Sequence, residues 1–316
     1  MLAMMQSIAL LLVGFVLLIK GADFFVEGSS SVARALRIPS MIVGLTIVAM
    51  GTSLPELAVS VTASVAGNNA LAVSNVIGSN LFNLMFVCGA CALFAPLIVQ
   101  KDTLKKEIPV SVLCAVLLFV LGISGMEIGR TDGVILLLLF IGFLVWMVRS
   151  VLKAHAASAE DPSGEYKIYP AWKCALYIVG GAVAIKFGGD FVVDGASAIA
   201  VKAGLSQNLI GLTIVAMGTS LPEFVTSVVA ARKNEVDMAF GNVIGSNIFN
   251  ILFILGVTAA ISPVAFIMEN VVDSILLVLV SILVWVFAWS RLHIEKKEGV
   301  VLLALYAAYL VYICVR

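Results

Sequence analysis

Charge is what this chain has least of. Aspartate, glutamate, lysine and arginine make up 12% of 316 residues, nineteen of each sign, for a formal net charge of +0. A soluble domain carries about a quarter charged residues, so a water-exposed globular fold is excluded. With no basic excess there is no footprint for a nucleic-acid partner. Histidine occurs twice, at His155 and His293, both in polar loops, which leaves no apolar span with a His-paired nucleophile for hydrolysis. The five cysteines, Cys88, Cys91, Cys114, Cys174 and Cys314, all fall in apolar segments. Cys88 and Cys91 are one helical turn apart inside such a segment and read as small apolar filler rather than a redox or zinc pair. No basic region precedes the first apolar run, and Lys20, Asp23 and Glu27 follow where a cleavage site would lie. That run therefore reads as a retained helix, not a signal peptide.

Apolar residues dominate instead, at 62%. Runs of about 18–25 residues, each long enough to cross ~30 Å of hydrocarbon as a helix, recur along the chain. Ten are expected, near 6–27, 40–65, 71–96, 108–124, 132–150, 172–194, 206–230, 237–261, 271–290 and 299–315. They are continuous rather than alternating and far exceed the ~10 residues of a barrel strand. The fold class is an all-α polytopic membrane protein of the cell (inner) membrane, with the lipid bilayer as its solvent.

Basic residues are distributed unevenly between alternate connections. Arg130, Lys202 and Arg316 fall on one side, fourteen on the other, and Lys20 and Lys186 lie within spans. The positive-inside rule puts the fourteen in the cytoplasm and both termini outside. Residues 1–150 form a first set of five spans, 151–171 a polar cytoplasmic linker, and 172–316 a second set. Five is odd, so the second set enters the membrane inverted, an arrangement that places substrate sites near the midplane where repeats meet.

The two halves share sequence. Gly44-Leu-Thr-Ile-Val-Ala-Met-Gly-Thr-Ser-Leu-Pro-Glu56 recurs letter for letter at Gly211–Glu223, an offset of 167. Asn75-Val-Ile-Gly-Ser-Asn80 recurs at Asn242–Asn247, each followed by Phe-Asn, ending at Asn83 and Asn250. Pro55 lacks an N–H and its ring clashes with the carbonyl of Gly51, so the span is expected to break near 51–55, as is its copy at Gly218 and Pro222. Irregular backbone at membrane depth is tolerated only inside protein or beside water. Free carbonyls around Ala49–Gly51, the hydroxyls of Thr52 and Ser53, and the Glu56 carboxylate would make a cluster of hard oxygen donors, repeated at Thr219, Ser220 and Glu223. Such sets select Na⁺, Ca²⁺ or Mg²⁺. Ser53-x-x-Glu56 also reads as a capping box restarting the helix after the kink. Capping accounts for the serine better than for a charge in the bilayer.

Asn75, Ser79 and Asn83 are spaced i, i+4, i+8 and line one helix face, as do Asn242, Ser246 and Asn250. Ser79, Ser246, Asn83 and Asn250 are candidate ligands. Asn75 and Asn242 suit support of the broken helix equally well, and Gly78-Ser79 and Gly245-Ser246 also permit close helix packing. Asn80 and Asn247 fall about 100° away, toward another face. Glu56 and Glu223, brought together, would place two negative charges in a low dielectric. One Ca²⁺ neutralises both, and two or three Na⁺, or protons, could replace it. Asp23 and Glu27 recur as Asp190 and Asp194, with Lys20 and Lys186 about one turn earlier. They read as interfacial ion pairs, or as guides for cations.

These motifs resemble those of the sodium/calcium exchangers, within the calcium/cation antiporters, whose two repeats carry G-T-S-x-P-[ED] and G-N-x-x-G-S-N-x-x-[ND]. Gly51–Glu56, Gly218–Glu223, Asn75–Asn83 and Gly241–Asn250 match, and the likeness covers essentially the whole chain. It implies ion ligands at Glu56, Glu223, Thr52, Thr219, Ser53, Ser220, Ser79 and Ser246 and at the carbonyls of Ala49 and Ala216. It also implies spans 1 and 6 sliding across a static core. Relatives often carry Asp where this chain has Asn83 or Asn250, and potassium-dependent members carry Asp at the latter. Two asparagines argue against K⁺ dependence. Position 74 is serine where the second copy has Gly241. The expected function is a non-enzymatic antiporter exporting Ca²⁺ against inward Na⁺. It needs no cofactor beyond the transported ions, and no protein partner is implied. The nearest alternative keeps the fold and couples Ca²⁺ to H⁺. A cation channel would not need inverted repeats, and an intramembrane aspartyl hydrolase would need paired Asp residues.

Overall fold

The computed structural model describes residues 2–65, 69–157, 168–204, 214 and 216–315. The main elements are helical: α1 (Leu2–Ala35), α2 (Ser40–Thr52), α3 (Leu54–Val65), α4 (Leu71–Phe94), α5 (Lys101–Gly125), α6 (Arg130–Ala157), α7 (Ala171–Lys202), α8 (Leu221–Arg232), α9 (Val236–Ile261), α10 (Met268–Arg291) and α11 (Lys296–Val315). Among the described residues, eight helices are long and apolar enough to cross a membrane, or nine if the bent pair α2–α3 is one span. The chain is thus an all-helical polytopic membrane protein. The run expected at 206–230 begins outside the described residues, and only α8 and a three-residue turn, Ala216–Gly218, represent it.

Several helices outrun the apolar stretches that announced them. The first continues from 27 to Ala35 through Gly-Ser-Ser-Ser, and the fifth starts at Lys101 rather than 108. Polar residues end a membrane segment without ending a helix, since packing against a neighbour stabilises the extra turns. Likewise α6 runs to Ala157, so the start of the supposed linker is helical.

Element ends coincide at the offset of 167. Leu54–Val65 corresponds to Leu221–Arg232, Ala35 to Lys202, Phe94 to Ile261, and Lys101 to Met268. Equivalent π-helical turns interrupt α4 at Phe82–Val87 and α9 at Asn250–Ile254. Two-residue strands repeat the exchange: β1 (Leu97–Ile98) pairs antiparallel with β4 (His293–Ile294), and β2 (Glu127–Ile128) with β3 (Val264–Ala265). Each pairing joins one half to the other.

Helices α4 and α9 form the centre. In their most apolar windows 83% and 78% of residues are buried, against at most 39% in the other long helices. The outer helices present Leu12, Val16, Leu138, Ile141, Leu279 and Val286 outward, the surface hydrocarbon requires.

Helices α1 and α7 pack antiparallel along a glycine seam that sequence reading missed. Gly14, Gly21 and Gly28 recur every seven residues on one helix, and Gly181, Gly188 and Gly195 on the other. A Cβ at Gly14 would lie 2.8 Å from the Gly188 carbonyl, at Gly181 2.8 Å from the Gly21 carbonyl, and at Gly195 2.8 Å from the Ser7 carbonyl. Only glycine allows backbones this close. Adding one methyl there should overpack the seam by about 1–3 kcal/mol, whereas Gly180 meets nothing within 4 Å. Gly181→Ala should therefore lower the thermal unfolding midpoint in detergent, and Gly180→Ala should leave it equal or raise it. Equal behaviour of the two variants would contradict a backbone-to-backbone seam.

Candidate functional site

The break in the α2–α3 pair falls at Ser53 (φ −85°, ψ 12°), and the two segments meet at 46°. Its equivalent, Ser220 (φ −94°, ψ 6°), begins α8 with proline in the first turn. Proline removes the N–H that would have continued each helix, so the chain turns and restarts. The turn is narrow because glycine precedes it. A Cβ at Gly51 would lie 2.6 Å from the ring of Phe25 on α1, and one at Gly218 would lie 2.1 Å from Val193 on α7.

One expectation is corrected here. The Ala49 carbonyl is not free: it accepts the Ser53 N–H at 3.1 Å and the Thr52 hydroxyl at 3.3 Å. The break lies one step later than the proline clash suggests, so Ala49 remains a helical acceptor. In the second copy Ser220 N–H donates to Met217 at 3.2 Å. Residues 205–213 and 215, within or beside the repeated motif, lie outside the described residues, as does the side chain of Ala216.

Both breaks deliver their polar side chains to one buried centre. Thr52, Ser53, Glu56, Ser220, Glu223, Ser246, Asn83, Asn250 and Asn242 are 0% exposed and Ser79 is 3%; Thr219 and Asn75 are half-buried. Each carboxylate is held by the serine of the opposite copy. Ser53 Oγ donates to Glu223 Oε1 at 2.6 Å, and Ser220 Oγ to Glu56 Oε1 at 3.0 Å. Ser220 and Ser79 hydroxyls are 3.0 Å apart.

Asn75 and Asn242 brace the restarted helices. Asn242 Nδ2 donates to the Glu223 carbonyl (3.3 Å) and Ser227 Oγ (2.9 Å), while its Oδ1 accepts the Thr52 hydroxyl (3.2 Å). Asn75 Nδ2 does the same to the Glu56 carbonyl (3.4 Å) and Ser60 Oγ (3.0 Å). Ser60 and Ser227, one turn beyond each glutamate, were missed in sequence, though their shared offset marked them.

Asn80 and Asn247 also differ from expectation. They are 0% and 2% exposed and clasp the halves together. Asn80 Nδ2 donates to the Asn247 carbonyl (3.2 Å) and Asn247 Nδ2 to the Asn80 carbonyl (3.4 Å). Their Oδ1 atoms accept from Asn250 Nδ2 (2.9 Å) and Asn83 Nδ2 (3.2 Å) respectively. The helical wheel placed residue 80 away from Ser79, but α4 is buried on nearly every face and position 80 lies only about 60° from 83.

These contacts commit every amide nitrogen and leave oxygens over. Glu56 Oε2, Glu223 Oε2, Asn83 Oδ1, Asn250 Oδ1 and Ser246 Oγ are buried with no hydrogen-bond partner among the described residues. Buried acceptors without donors cost about 1–3 kcal/mol each, more for charged groups. Five together, two of them on carboxylates, suit a hard cation rather than an apolar or anionic ligand. Among the described residues no group of three His, Cys, Asp or Glu side chains could hold a metal, so neutral hydroxyl and amide oxygens must complete any cation shell.

A cavity of about 300 Å³ lies beside this centre, lined by Pro55, Val59, Asp190, Asp194, Thr219 and Pro222 among others. If the asparagine clasp couples the halves, Asn247→Ala leaves Asn83 Nδ2 without its acceptor and should destabilise the fold by about 1–3 kcal/mol. The double change Asn80→Ala/Asn247→Ala should then be less damaging than the sum of the two single changes. Additive losses in thermal unfolding would argue against a coupled clasp.

The chain matches the family model described as "Sodium/calcium exchanger protein" over residues 6–149 and again over 173–315. It is 44% identical over 265 residues to the "Putative antiporter CaxA" of Alkalimonas amylolytica, covering 82% of each chain. To the "Inner membrane protein YrbG" of Escherichia coli (strain K12) it is 37% identical over 265 residues, covering 82% of this chain and 81% of that one. Among solved structures, the sodium-calcium exchanger NCX_Mj soaked with zero Na⁺ and Ca²⁺ superposes with a TM-score of 0.85 at 34% identity, over 98% of this chain and 99% of that one.

Proposed function

Because the chain belongs to the sodium/calcium exchanger protein family, cation antiporters of the membrane, we propose that it exports Ca²⁺ in exchange for Na⁺ at one shared site by alternating access. The observation that carries this reading is the set of five unpartnered buried oxygens from both copies. Glu56 and Glu223 supply two negative charges, which one Ca²⁺ neutralises. Thr52, Ser53, Ser79, Asn83 and their counterparts Thr219, Ser220, Ser246 and Asn250 supply neutral oxygens that serve Na⁺ equally. The carbonyl of Ala49, which accepts the Ser53 N–H, joins through its second lone pair, and that of Ala216 is its counterpart. Because both ions need the same carboxylates, occupancy by one excludes the other, and exchange follows from competition. Gly51, Pro55, Gly218 and Pro222 shape the breaks, and Asn75 and Asn242 hold them.

The architecture proposed is ten spans in two inverted sets of five, residues 1–150 and 172–316, with both termini outside and the linker in the cytoplasm. Reciprocal contacts support it: residue i of one half meets j of the other while i+167 meets the counterpart of j, as across a two-fold axis. The two separate family matches and the lopsided distribution of basic residues support it as well.

The test loads proteoliposomes with Na⁺ and follows ⁴⁵Ca²⁺ uptake on dilution into buffer free of Na⁺ and K⁺. Uptake should require the outward Na⁺ gradient, and equal uptake from a pH gradient alone would assign the coupling to H⁺. Glu56→Gln and Glu223→Gln should each reduce uptake to background while the protein stays folded in detergent, because a single carboxylate no longer balances Ca²⁺. Normal uptake by either variant would refute the shared site.

A further inference from the structure

The two routes to the site are not equally held. On α1, Asp23 and Glu27 sit at the end facing the cytoplasm in the orientation proposed above. On α7, Asp190 and Asp194 are their counterparts at the opposite end. At the first end Lys233, just past α8, reaches across to α1. Its Nζ donates to the Asp23 carbonyl at 3.0 Å and lies 3.2 Å from Asp23 Oδ1 and 3.7 Å from Glu27 Oε2. Tyr169, just before α7, donates its hydroxyl to Glu27 Oε1, and its N–H donates to Ser31 Oγ at 2.9 Å. That hydrogen bond pushes the Tyr169 phenol up to about 12, so it stays a donor at physiological pH. Phe25, 1% exposed, fills the remaining space against Gly51.

At the other end lies the cavity of about 300 Å³. There Asp190 pairs with Lys186 on its own helix, and among the described residues Asp194 pairs with no basic side chain. Sequence explains the difference. The positions matching Lys233, Tyr169 and Phe25 at the offset of 167 are Ala66, Leu2 and Val192. None carries a charge, a hydroxyl or a ring; on that side Val193 abuts Gly218, and the charged and phenolic contacts are confined to the cytoplasmic side.

We infer that Lys233 locks α1 against the core on the cytoplasmic side, while Tyr169 ties the start of α7 to the same Glu27, so that the resting exchanger stands closed inward and open outward. The inference rests on the orientation given under the proposed function. Lys233, Asp23 and Glu27 are each about one-third exposed, and ion pairs in that setting are weak. Weakness suits a contact that must break in every transport cycle, and it biases two states without trapping one.

The test reads accessibility, which needs no ion flux. In a Cys314→Ser background, which removes the one exposed cysteine among those described, Ala58→Cys lines the open cavity and Val225→Cys is its counterpart on the closed side. Membrane-impermeant maleimide is applied to sided vesicles. Adding Lys233→Gln should speed labelling of Val225→Cys from the cytoplasmic face by about twofold to fivefold, and slow labelling of Ala58→Cys from outside by a smaller factor, because the open state is the majority. Lys233→Arg keeps the charge and should leave both rates near their original values. Unchanged rates in Lys233→Gln, or equal effects of the Gln and Arg variants, would overturn the lock. Labelling of Ala58→Cys from the cytoplasmic face would overturn the orientation and the cytoplasmic assignment with it. Loss of Ca²⁺ exchange alone, with the labelling shifts intact, would count against the ion assignment and support the lock.

Discussion

Two carboxylates buried at the centre of a membrane bundle set the terms for everything around them. Neither Glu56 nor Glu223 has a basic partner among the described residues, and each keeps one oxygen without a donor. Charge in such a place requires a counter-charge or a proton. Among the described residues no basic side chain supplies that counter-charge, and hydroxyls and amides surround the pair instead. The proline-broken helices, the π-helical turns beside Asn83 and Asn250, and the near-total burial of α4 and α9 all serve that arrangement. Remove the two carboxylates and the remaining irregularities have no purpose.

Much of this is legible in the sequence, because duplication preserved what mattered. A thirteen-residue identity at a fixed offset, with proline and glutamate inside an apolar run, announces a broken helix and a site at once. The helical, membrane-spanning character follows from hydropathy, and eight or nine of the ten expected spans are seen among the described residues. What stays hidden is partnership. No spacing rule says that Ser53 bonds Glu223 rather than its own Glu56, or that Asn80 and Asn247 face each other. Those pairings depend on how two distant segments approach, and a helical wheel reports only the angle within one helix. The Ala49 carbonyl illustrates the same limit in the backbone: proline removes one hydrogen bond, yet which carbonyl goes without depends on where the chain turns.

The glycine seam between α1 and α7 was equally readable as a seven-residue repeat, but small residues in apolar helices have many explanations until a partner is seen. In place, it explains how two helices more than thirty residues long lie backbone to backbone along their length, with Phe24 and Tyr177 meeting beside the seam. Close backbone contact joins them into one unit. The contacts of Lys233 then bear on that unit as a whole.

The asparagine clasp has a consequence for how the protein is made. Asn80 finds its partners at Asn247 and Asn250, which a ribosome reaches only after some 167 further residues, roughly ten seconds or more of synthesis. Until then the first half carries unsatisfied amides and a carboxylate into lipid, where water cannot relieve them. The first half is therefore not an independent folding unit but half of a mould. Its polar face stays open until its complement is made. Truncation between the halves leaves a chain whose most polar surface has nothing to close upon, which makes it a natural target for membrane quality control.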